Sequence, residues 1–194
     1  TIGYTFHGKN TGKLSDIATN SFYASHIING AGSGGIACFN DYKLYQRAKL
    51  LRGWGRSSAT FSESENPSKR FNVKISGIDY DAKFVFEKVG YNLEGNEVGA
   101  AFGLAQLKKL KNNIKIRQKN FKRQCDFFSK YPDCFSNPIE TKGCKTAWLA
   151  FPLLIKEKAP FNRREMQIYL AKRNIQTRVV LTGNILRQPM CKGM

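Results

Sequence analysis

Residues 21–26 read Ser-Phe-Tyr-Ala-Ser-His, and the glycine-rich stretch Gly-Ala-Gly-Ser-Gly-Gly follows at residues 30–35. The first stretch places the imidazole of His26 in a polar turn of a chain that has one other histidine, His7. The glycines offer backbone N–H groups to an anion such as phosphate at low steric cost. The hydroxyl of Ser21 can donate to the same anion. These residues predict a polar site with a single acid–base group.

The composition is typical of a globular protein. The chain has 194 residues, of which 41% are hydrophobic and 24% are charged, and this length is compatible with one or two domains. The longest strongly apolar stretch, residues 147–155, has nine residues and contains a proline. A membrane span needs about 20 apolar residues. We therefore expect no membrane contact.

The net charge of +18 raises the alternative of a nucleic-acid-binding protein. The basic residues are spread from Lys9 to Lys192 and are dense only at residues 108–122, where they alternate with apolar residues such as Leu110 and Ile114. This pattern is typical of the solvent face of an amphipathic helix. No nucleic-acid recognition motif accompanies the charge. We therefore do not expect nucleic acid as a partner. A non-catalytic nucleic-acid-binding protein is kept as the alternative to an enzyme.

The cysteines form no Cys-x-x-Cys pair and have no histidine close in sequence, whereas zinc sites use paired ligands at short spacing. Their odd number and wide spacing indicate reduced thiols in a cytoplasmic protein. We expect structural cysteines and no metal site. The five residues are Cys38, Cys125, Cys134, Cys144 and Cys191.

The hydrophobic pattern predicts strands and helices in the first two thirds of the chain. Two short strands are expected at residues 17–22 and 36–39, and Asn40-Asp41 is expected to cap a helix at 42–51. Residues 52–80 are rich in glycine and serine and are predicted as a loop. Two consecutive helices are expected from residue 97 to about 110 and onward to about 128.

The last third of the chain predicts a second domain. Residues 132–143 interrupt the helical pattern, and a strand at 146–155, a helix at 163–172 and a strand at 175–180 follow. This order is typical of a small α+β domain. We therefore predict an α/β domain at residues 1–129 and an incomplete α+β domain at residues 130–194.

The glycine cluster also satisfies the expression G-x-G-x-x-G through Gly30, Gly32 and Gly35. In dinucleotide-binding proteins this motif follows a strand and opens a helix. Here a polar loop precedes the glycines and a β-like apolar run follows them. The sequence therefore argues against a dinucleotide site.

Seven segments, in the same order along the chain, resemble the DegT/DnrJ/EryC1/StrS family of sugar-nucleotide aminotransferases. They include Gly-Lys-x-x-Gly-x-x-x-Asp-Ile-Ala-Thr-x-Ser-Phe-Tyr at residues 8–23, Arg-Gly-Trp-Gly-Arg at 52–56 and Gly-Tyr-Asn at 90–92. The other four are residues 34–41, 100–107, 175–178 and 183–189. Each segment is weakly specific, but together they cover essentially the whole chain.

The resemblance implies an α/β fold of the fold-type-I pyridoxal-phosphate class. Residues 1–129 would form the later part of its large domain, and residues 130–194 the start of its small domain. It also implies pyridoxal or pyridoxamine phosphate as cofactor, a nucleotide-diphosphate sugar as substrate, and a homodimer with its active site at the interface. Because the chain opens on Thr1, we expect an N-terminal half to be missing and this chain alone to be inactive.

The resemblance also implies roles for individual residues. Most of the family has a Schiff-base lysine where this chain has His26, and the exchange is similar to that in the branch of 4-keto-6-deoxyhexose 3-dehydratases. Ser21 would bind the cofactor phosphate, and Asn92 would reach the phosphate across the dimer interface. Arg178 and Arg56 would bind substrate. Ser21 and Asn92 could instead be simple turn residues, and Arg178 an exposed arginine.

An imidazole moves protons but does not hold an aldehyde as a stable imine. We therefore expect His26 to act as acid and base in dehydration at C3 of a nucleotide-linked sugar. A sugar aminotransferase of the same family is the alternative and would need a lysine at residue 26.

Relatives that hold an iron–sulfur cluster have a cysteine pair directly after a Gly-Trp-Gly-Arg-like stretch. Ser57 and Ser58 occupy those positions here, and a hydroxyl does not replace the thiolate that ligates such a cluster. We expect no iron–sulfur cluster.

Overall fold

The computed structural model describes residues 2–61 and 65–193. The backbone divides into two compact units, the first formed by Thr1–Lys115 with Lys142–Ala147 and the second by Ile116–Thr141 with Trp148–Met194. The units differ from the predicted domains at residues 116–129 and 142–147. The domain assignment itself stays a prediction.

The described residues contain short strands and five α-helices. The strands are β1 (Thr5–Phe6), β2 (Lys9–Asn10), β3 (Ile17–Ser21), β4 (Gly35–Phe39), β5 (Val73–Ile75), β6 (Ile78–Tyr80), β7 (Phe135–Ser136), β8 (Cys144–Lys145) and β9 (Leu154–Ile155). The helices are α1 (Tyr42–Arg52), α2 (Pro67–Arg70), α3 (Glu97–Leu107), α4 (Leu110–Phe128) and α5 (Arg163–Ala171). None of these helices is long and apolar enough to cross a membrane.

Every sheet is small and antiparallel. In the first unit, β1 lies between β2 and β8, while β3 pairs with β4 and β5 pairs with β6. In the second unit, β7 pairs with β9. The predicted strands at 17–22 and 36–39 are confirmed as β3 and β4.

Helix α1 begins and ends where its sequence predicts. The Asp41 carboxylate accepts the N–H of Leu44 at 2.8 Å and so satisfies one of the unpaired donors of the first turn. Lys49 and Arg52 lie in the last turn, where positive charge complements the helix dipole. Leu50, on the inner face, is buried.

The predicted loop at residues 52–80 is wrong in its second half. Pro67–Arg70 forms one helical turn, and β5 and β6 form a hairpin. The two residues that join these strands, Ser76 and Gly77, both have positive φ (52° and 81°). A two-residue turn with this conformation matches the twist of a hairpin, so the Ser-Gly pair was the overlooked signal.

Few apolar side chains of the described residues are buried. The buried ones are Ile28, Leu50, Ala82 and Ala147. Helix α3 is apolar except at Glu97 and Gln106, and Val98, Leu104 and Leu107 are each more than half exposed. Burial of apolar area therefore stabilises this chain less than it does a typical domain of this size.

The second unit packs around aromatic rings. Phe121 stacks on Trp148 with a centroid distance of 3.7 Å and an interplanar angle of 7°. Phe151 contacts both Phe121 and Phe128, at centroid distances of 5.3 Å and 5.6 Å. Such ring pairs stabilise a fold by about 0.5–1.5 kcal/mol each beyond the burial of their area.

The predicted strand at residues 146–155 is wrong except at its end, where β9 lies. Trp148 has a φ of 45°, which is incompatible with an extended strand. The guanidinium of Arg117 donates to the carbonyl oxygens of Trp148 and Leu149 at 2.9 Å and 3.1 Å. These carbonyls are therefore satisfied by a helix side chain rather than by a neighbouring strand.

The predicted strand at residues 175–180 is also wrong. Helix α5 ends at Ala171, and Asn174 shortly after it has a φ of 58°. The residues that follow belong to none of the described sheets. Apolar alternation predicts an extended segment, but a strand also needs a neighbour with which to pair. The described residues supply none here.

An ion pair links the β5–β6 hairpin to α2. The Arg70 guanidinium donates to both carboxylate oxygens of Asp81, at 2.8 Å from Nε to Oδ1. The backbone N–H of Lys83 donates to the same carboxylate at 3.0 Å. The hydrogen bond from Arg70 is the main cause that lowers the pKa of Asp81 to about 2.

Because the pKa of Asp81 is lower in the folded state, this pair stabilises the fold above the ordinary carboxylate pKa of about 3.9. The contribution is lost as the pH falls from about 4 towards 2. We expect Asp81→Asn to lower the urea midpoint at pH 5–7, with the difference from wild type shrinking towards pH 2. Asp79→Asn, which removes a more exposed pair with Lys74, is the control and should have a smaller effect. A difference for Asp81→Asn that stays constant down to pH 2 would contradict this account.

Candidate cofactor and substrate site

The β3–β4 hairpin presents Ser21 and His26. The two strands pair from Ile17 opposite Phe39 to Ser21 opposite Gly35. The long connection between them, residues 22–34, begins directly after Ser21 and contains His26. The predicted order of strand, polar loop, glycine cluster and strand is therefore confirmed.

Ser21 has a free donor. Its side chain is exposed, and Oγ accepts the N–H of Tyr23 at 3.2 Å. In the described residues, the hydroxyl proton has no acceptor. Ser21 therefore forms the local turn and can still donate to a phosphate oxygen, so the two predicted roles are compatible.

His26 lies in a tight turn, with its backbone N–H donating to Tyr23 O at 2.9 Å. The side chain is half-buried. Within the described residues it makes no side-chain hydrogen bond and faces no carboxylate partner. An imidazole in this setting keeps both ring nitrogens available for proton transfer.

The loop is closed at its base and packs against α3. Phe22 N–H donates to Gly34 O at 2.9 Å, and Gly30 N–H donates to Phe22 O at 2.8 Å. Ile28 is 4% exposed. A methyl group added to Gly99 would lie 2.8 Å from Gly30 O, so loop and helix touch through backbone atoms.

Asn92 and Arg56 lie on two segments of the first unit that hydrogen-bond to each other. The chain after α1 runs antiparallel to residues 91–93: Tyr91 N–H donates to Leu51 O at 2.7 Å, and Trp54 N–H donates to Tyr91 O at 2.8 Å. Asn92 lies opposite Gly53 and is exposed. In the described residues its amide side chain has no partner and is free to bind a ligand.

Arg56 is surrounded by aromatic rings. Its guanidinium carbon lies 4.4 Å from the ring centroid of Trp54, 5.4 Å from that of Phe86 and 5.8 Å from that of Phe84. These are attractive cation–π contacts. The Nε atom is buried and has no hydrogen-bond partner in the described part of the chain. The rings thus fix the guanidinium, and its predicted role towards substrate stays a prediction.

Ser57 and Ser58 use their hydroxyls within the fold. Ser57 Oγ donates towards Ala82 O at 3.1 Å and Val85 O at 3.3 Å, and Ser58 Oγ donates to Lys83 O at 3.5 Å. No three His, Cys, Asp or Glu side chains of residues 2–61 and 65–193 gather as metal ligands would. These donors do not fit an iron–sulfur cluster, and its absence remains a prediction.

Arg178 belongs to the second unit. It is exposed and directly follows the residues that line a shallow groove along α5, which include Gln167, Asn174 and Thr177. The structure therefore places Ser21 and His26 on the β3–β4 hairpin, and Asn92 and Arg56 on two other segments that hydrogen-bond to each other. In the described residues, no hydrogen bond joins these two pairs.

Sequence analysis missed the side chains that hold the His26 loop. Gln106 on α3 forms hydrogen bonds with Asn29 of the loop. The available signal was the position of Gln106, which is the single uncharged polar side chain in the otherwise apolar sequence of α3.

The solved structures with this architecture are pyridoxal-phosphate-dependent, aminotransferase-like proteins of fold type I, so the predicted fold class is confirmed. The sequence pattern of the DegT/DnrJ/EryC1/StrS aminotransferase family matches residues 1–193. The chain therefore belongs to that family.

Several curated relatives match most of this chain. The lipopolysaccharide biosynthesis protein RfbH of Salmonella typhimurium is 31% identical over 97% of this chain and 44% of its own length. A dTDP-4-dehydro-2,6-dideoxy-D-glucose 3-dehydratase of Saccharopolyspora spinosa is 34% identical over 97% of this chain and 41% of its own length. A GDP-perosamine synthase of Caulobacter vibrioides is 31% identical over 61% of this chain and 26% of its own length. The chain thus spans less than half the length of these relatives.

Solved structures match equally well. The Escherichia coli GDP-4-keto-6-deoxy-D-mannose-3-dehydratase with bound hydrated pyridoxal phosphate has a TM-score of 0.78 and 29% identity, over 96% of this chain and 46% of that one. A histidine-to-asparagine variant of GDP-4-keto-6-deoxymannose-3-dehydratase (ColD), with bound GDP-perosamine, has a TM-score of 0.80 and 28% identity, over 99% and 48%. A further ColD variant, in which a serine and the following histidine are both replaced, has a TM-score of 0.75 and 28% identity, over 97% and 47%.

The segments that carry Asn92 and Arg56 depend on Gly55. Its φ is 78°, and an added methyl group would lie 1.9 Å from Lys88 O. Gly77, with a φ of 81° and open space around it, is a matched control. We expect Gly77→Ala to lower the free energy of unfolding by about 1–2 kcal/mol, the cost of the left-handed conformation.

Gly55→Ala should cost at least about 1 kcal/mol more, because it also forces two backbone segments apart. Urea denaturation of both variants measures this difference. Equal losses for the two variants would show that the close approach at Gly55 does not matter.

Proposed function

We propose that the protein to which this chain belongs dehydrates C3 of a nucleotide-linked 4-keto-6-deoxyhexose, with pyridoxal or pyridoxamine phosphate as cofactor. The observation that carries the proposal is His26, a half-buried imidazole on the loop that follows Ser21, where most of the family has a lysine. The matches to curated and solved 3-dehydratases support the same activity.

The ColD variants support His26 as the acid–base group. In that protein, the replaced histidine directly follows a replaced serine. This chain has two histidines, and a serine precedes His26 whereas a phenylalanine precedes His7. We therefore propose that the pair Ser25-His26 corresponds to the serine–histidine pair of the relative.

The residues present fit a phosphorylated cofactor. Ser21 keeps a free hydroxyl donor next to a loop in which Gly32 and Gly34 have positive φ (105° and 112°) and little around them. Asn92 keeps a free amide on a different segment. We propose that Ser21 binds the phosphate of the cofactor held in its own subunit. In a homodimer, Asn92 would bind the phosphate of the cofactor held in the partner subunit.

The cofactor, when bound, supplies a conjugated ring that accepts an electron pair. With the amine of this cofactor joined to C4 of the sugar, His26 would remove a proton from C4′ and pass it to the C3 hydroxyl, and the electron pair released at C4′ would expel that hydroxyl as water. An imidazole suits both steps because it changes its charge near neutral pH. Arg178 is proposed to bind the substrate, for whose diphosphate a guanidinium is well shaped. A substrate-binding role is proposed separately for Arg56.

Aminotransfer on a nucleotide sugar is the second candidate, because a GDP-perosamine synthase is among the relatives. That reaction needs an amine at the position of His26 to hold the cofactor between turnovers. The lysines nearest in sequence, Lys13 and Lys43, lie outside the loop. Dehydration is therefore the better-supported reaction.

The first test exchanges the two histidines separately in the protein at its full natural length. We expect His26→Asn to lower the rate of C3 dehydration by about 10²- to 10⁴-fold, because it removes the acid–base group, with cofactor affinity nearly unchanged. His7→Asn is the matched control and should keep its activity. Ser21→Ala should mainly weaken cofactor binding. Near-normal dehydration by His26→Asn, measured by product formation, would refute the proposal.

The second test asks how the cofactor is held. Borohydride added with pyridoxal phosphate should leave no reduced adduct at residue 26 of the wild type, because imidazole forms no stable imine. His26→Lys should acquire such an adduct, provided that the longer side chain fits. Mass spectrometry of proteolytic peptides locates the adduct. A wild-type adduct on a lysine of the active site would favour the aminotransferase instead.

A further inference from the structure

We propose that Gln106 is a positioning residue that holds the loop of residues 24–30 against α3 and thereby fixes the place of His26. The link to catalysis rests on the proposed function of His26, whereas the link to loop structure does not.

Three hydrogen bonds join one side chain of α3 to one residue of the loop. The backbone N–H of Asn29 donates to Gln106 Oε1 at 3.3 Å. Gln106 Nε2 donates to both the backbone oxygen and Oδ1 of Asn29, each at 3.3 Å. The two residues are 77 positions apart in sequence, so this contact is tertiary. Gln106 thus satisfies both the donor and the acceptor of the Asn29 backbone.

The amide of Asn29 carries the link across the loop. Its Nδ2 donates to Ala24 O at 3.3 Å, so residues on both sides of His26 are connected to α3. His26 lies between Ala24 and Asn29, and its own N–H closes a turn by donating to Tyr23 O at 2.9 Å. Loss of the Gln106 amide therefore releases both ends of the segment that carries the imidazole.

A second contact, near the N-terminal end of α3, also holds the loop against this helix. Gly99 and Gln106 are seven residues apart, which places them two turns apart on one face of the helix. At Gly99 the backbone touches Gly30 O so closely that an added methyl group would lie 2.8 Å from it. The loop thus rests on α3 at Gly99 through backbone and at Gln106 through an amide.

Glutamine suits this position because one planar group both donates and accepts. A glutamate would offer acceptors alone and would face two oxygen atoms of Asn29. Methionine has a similar length but makes none of the three bonds. A half-buried backbone N–H and oxygen left without partners are costly, so the loop would move to find water.

The experiment measures hydrogen exchange at Asn29 and Gly30 in the protein at its full natural length. We expect Gln106→Met, which removes the acceptor of the Asn29 N–H, to speed exchange at Asn29 by about tenfold or more, as the loss of a hydrogen bond of ordinary strength implies. Gln106→Glu keeps an acceptor for that N–H but loses both donated bonds, so its effect should be smaller. The amides of the β5–β6 hairpin should be unchanged, which shows that the variants fold. Gln124→Met, at an exposed glutamine of α4, is the matched control and should leave the loop unchanged.

The second measurement is the steady-state kinetics of dehydration by the same variants. Dehydration by Gln106→Met should show a lower kcat with little change in the KM for the sugar nucleotide, because the imidazole is displaced and the arginines are not. Unchanged exchange at Asn29, or a loosened loop with an unchanged kcat, would overturn the positioning role. Absence of dehydration in the wild type would refute the proposed function, while the exchange at Asn29 would still decide whether Gln106 holds the loop.

Discussion

Close contact between backbone segments, which only glycine permits, is the constraint on which the first unit depends. At Gly55 the chain passes the carbonyl of Lys88, and at Gly99 it passes the carbonyl of Gly30. Few side chains are buried, so these approaches and the hydrogen bonds beside them determine how segments meet. One contact orders the strand-like pair that carries Asn92, and the other supports the loop that carries His26. The candidate site is thus built on backbone packing rather than on a large apolar core.

The sequence predicts elements whose signals are local. Helix α1 has its cap and its apolar face within eleven residues, and α5 has a complete capping box in which Asn162 and Glu165 exchange hydrogen bonds at 2.8 Å and 3.1 Å. The predictions for 146–155 and 175–180 were wrong because a strand is defined by its neighbour. The left-handed Trp148 and the bonds from Arg117 depend on residues about 30 positions away, which periodicity does not reveal.

The same distinction applies to the candidate site. The resemblance identified Ser21 and His26 from contiguous motifs, and the structure places Ser21 at the end of β3 and His26 in the loop that follows it. It could not reveal that Arg56 is enclosed by three rings, since two of these, Phe84 and Phe86, come from a distant segment. Nor could it reveal Gln106 as a partner of Asn29. In each case a short contiguous motif identifies the candidate residue, whereas the residues that fix its position are remote in sequence.

The two tryptophans of the chain are divided between the two units. Trp54 lies beside the Arg56 guanidinium and is 39% exposed, whereas Trp148 stacks on Phe121 in the second unit. Their indoles therefore differ in polarity and in quenching neighbours, so their emission maxima and intensities should be separable. A protein with one tryptophan replaced by phenylalanine reports on a single unit. Intrinsic fluorescence can thus follow the melting of each half without any attached dye.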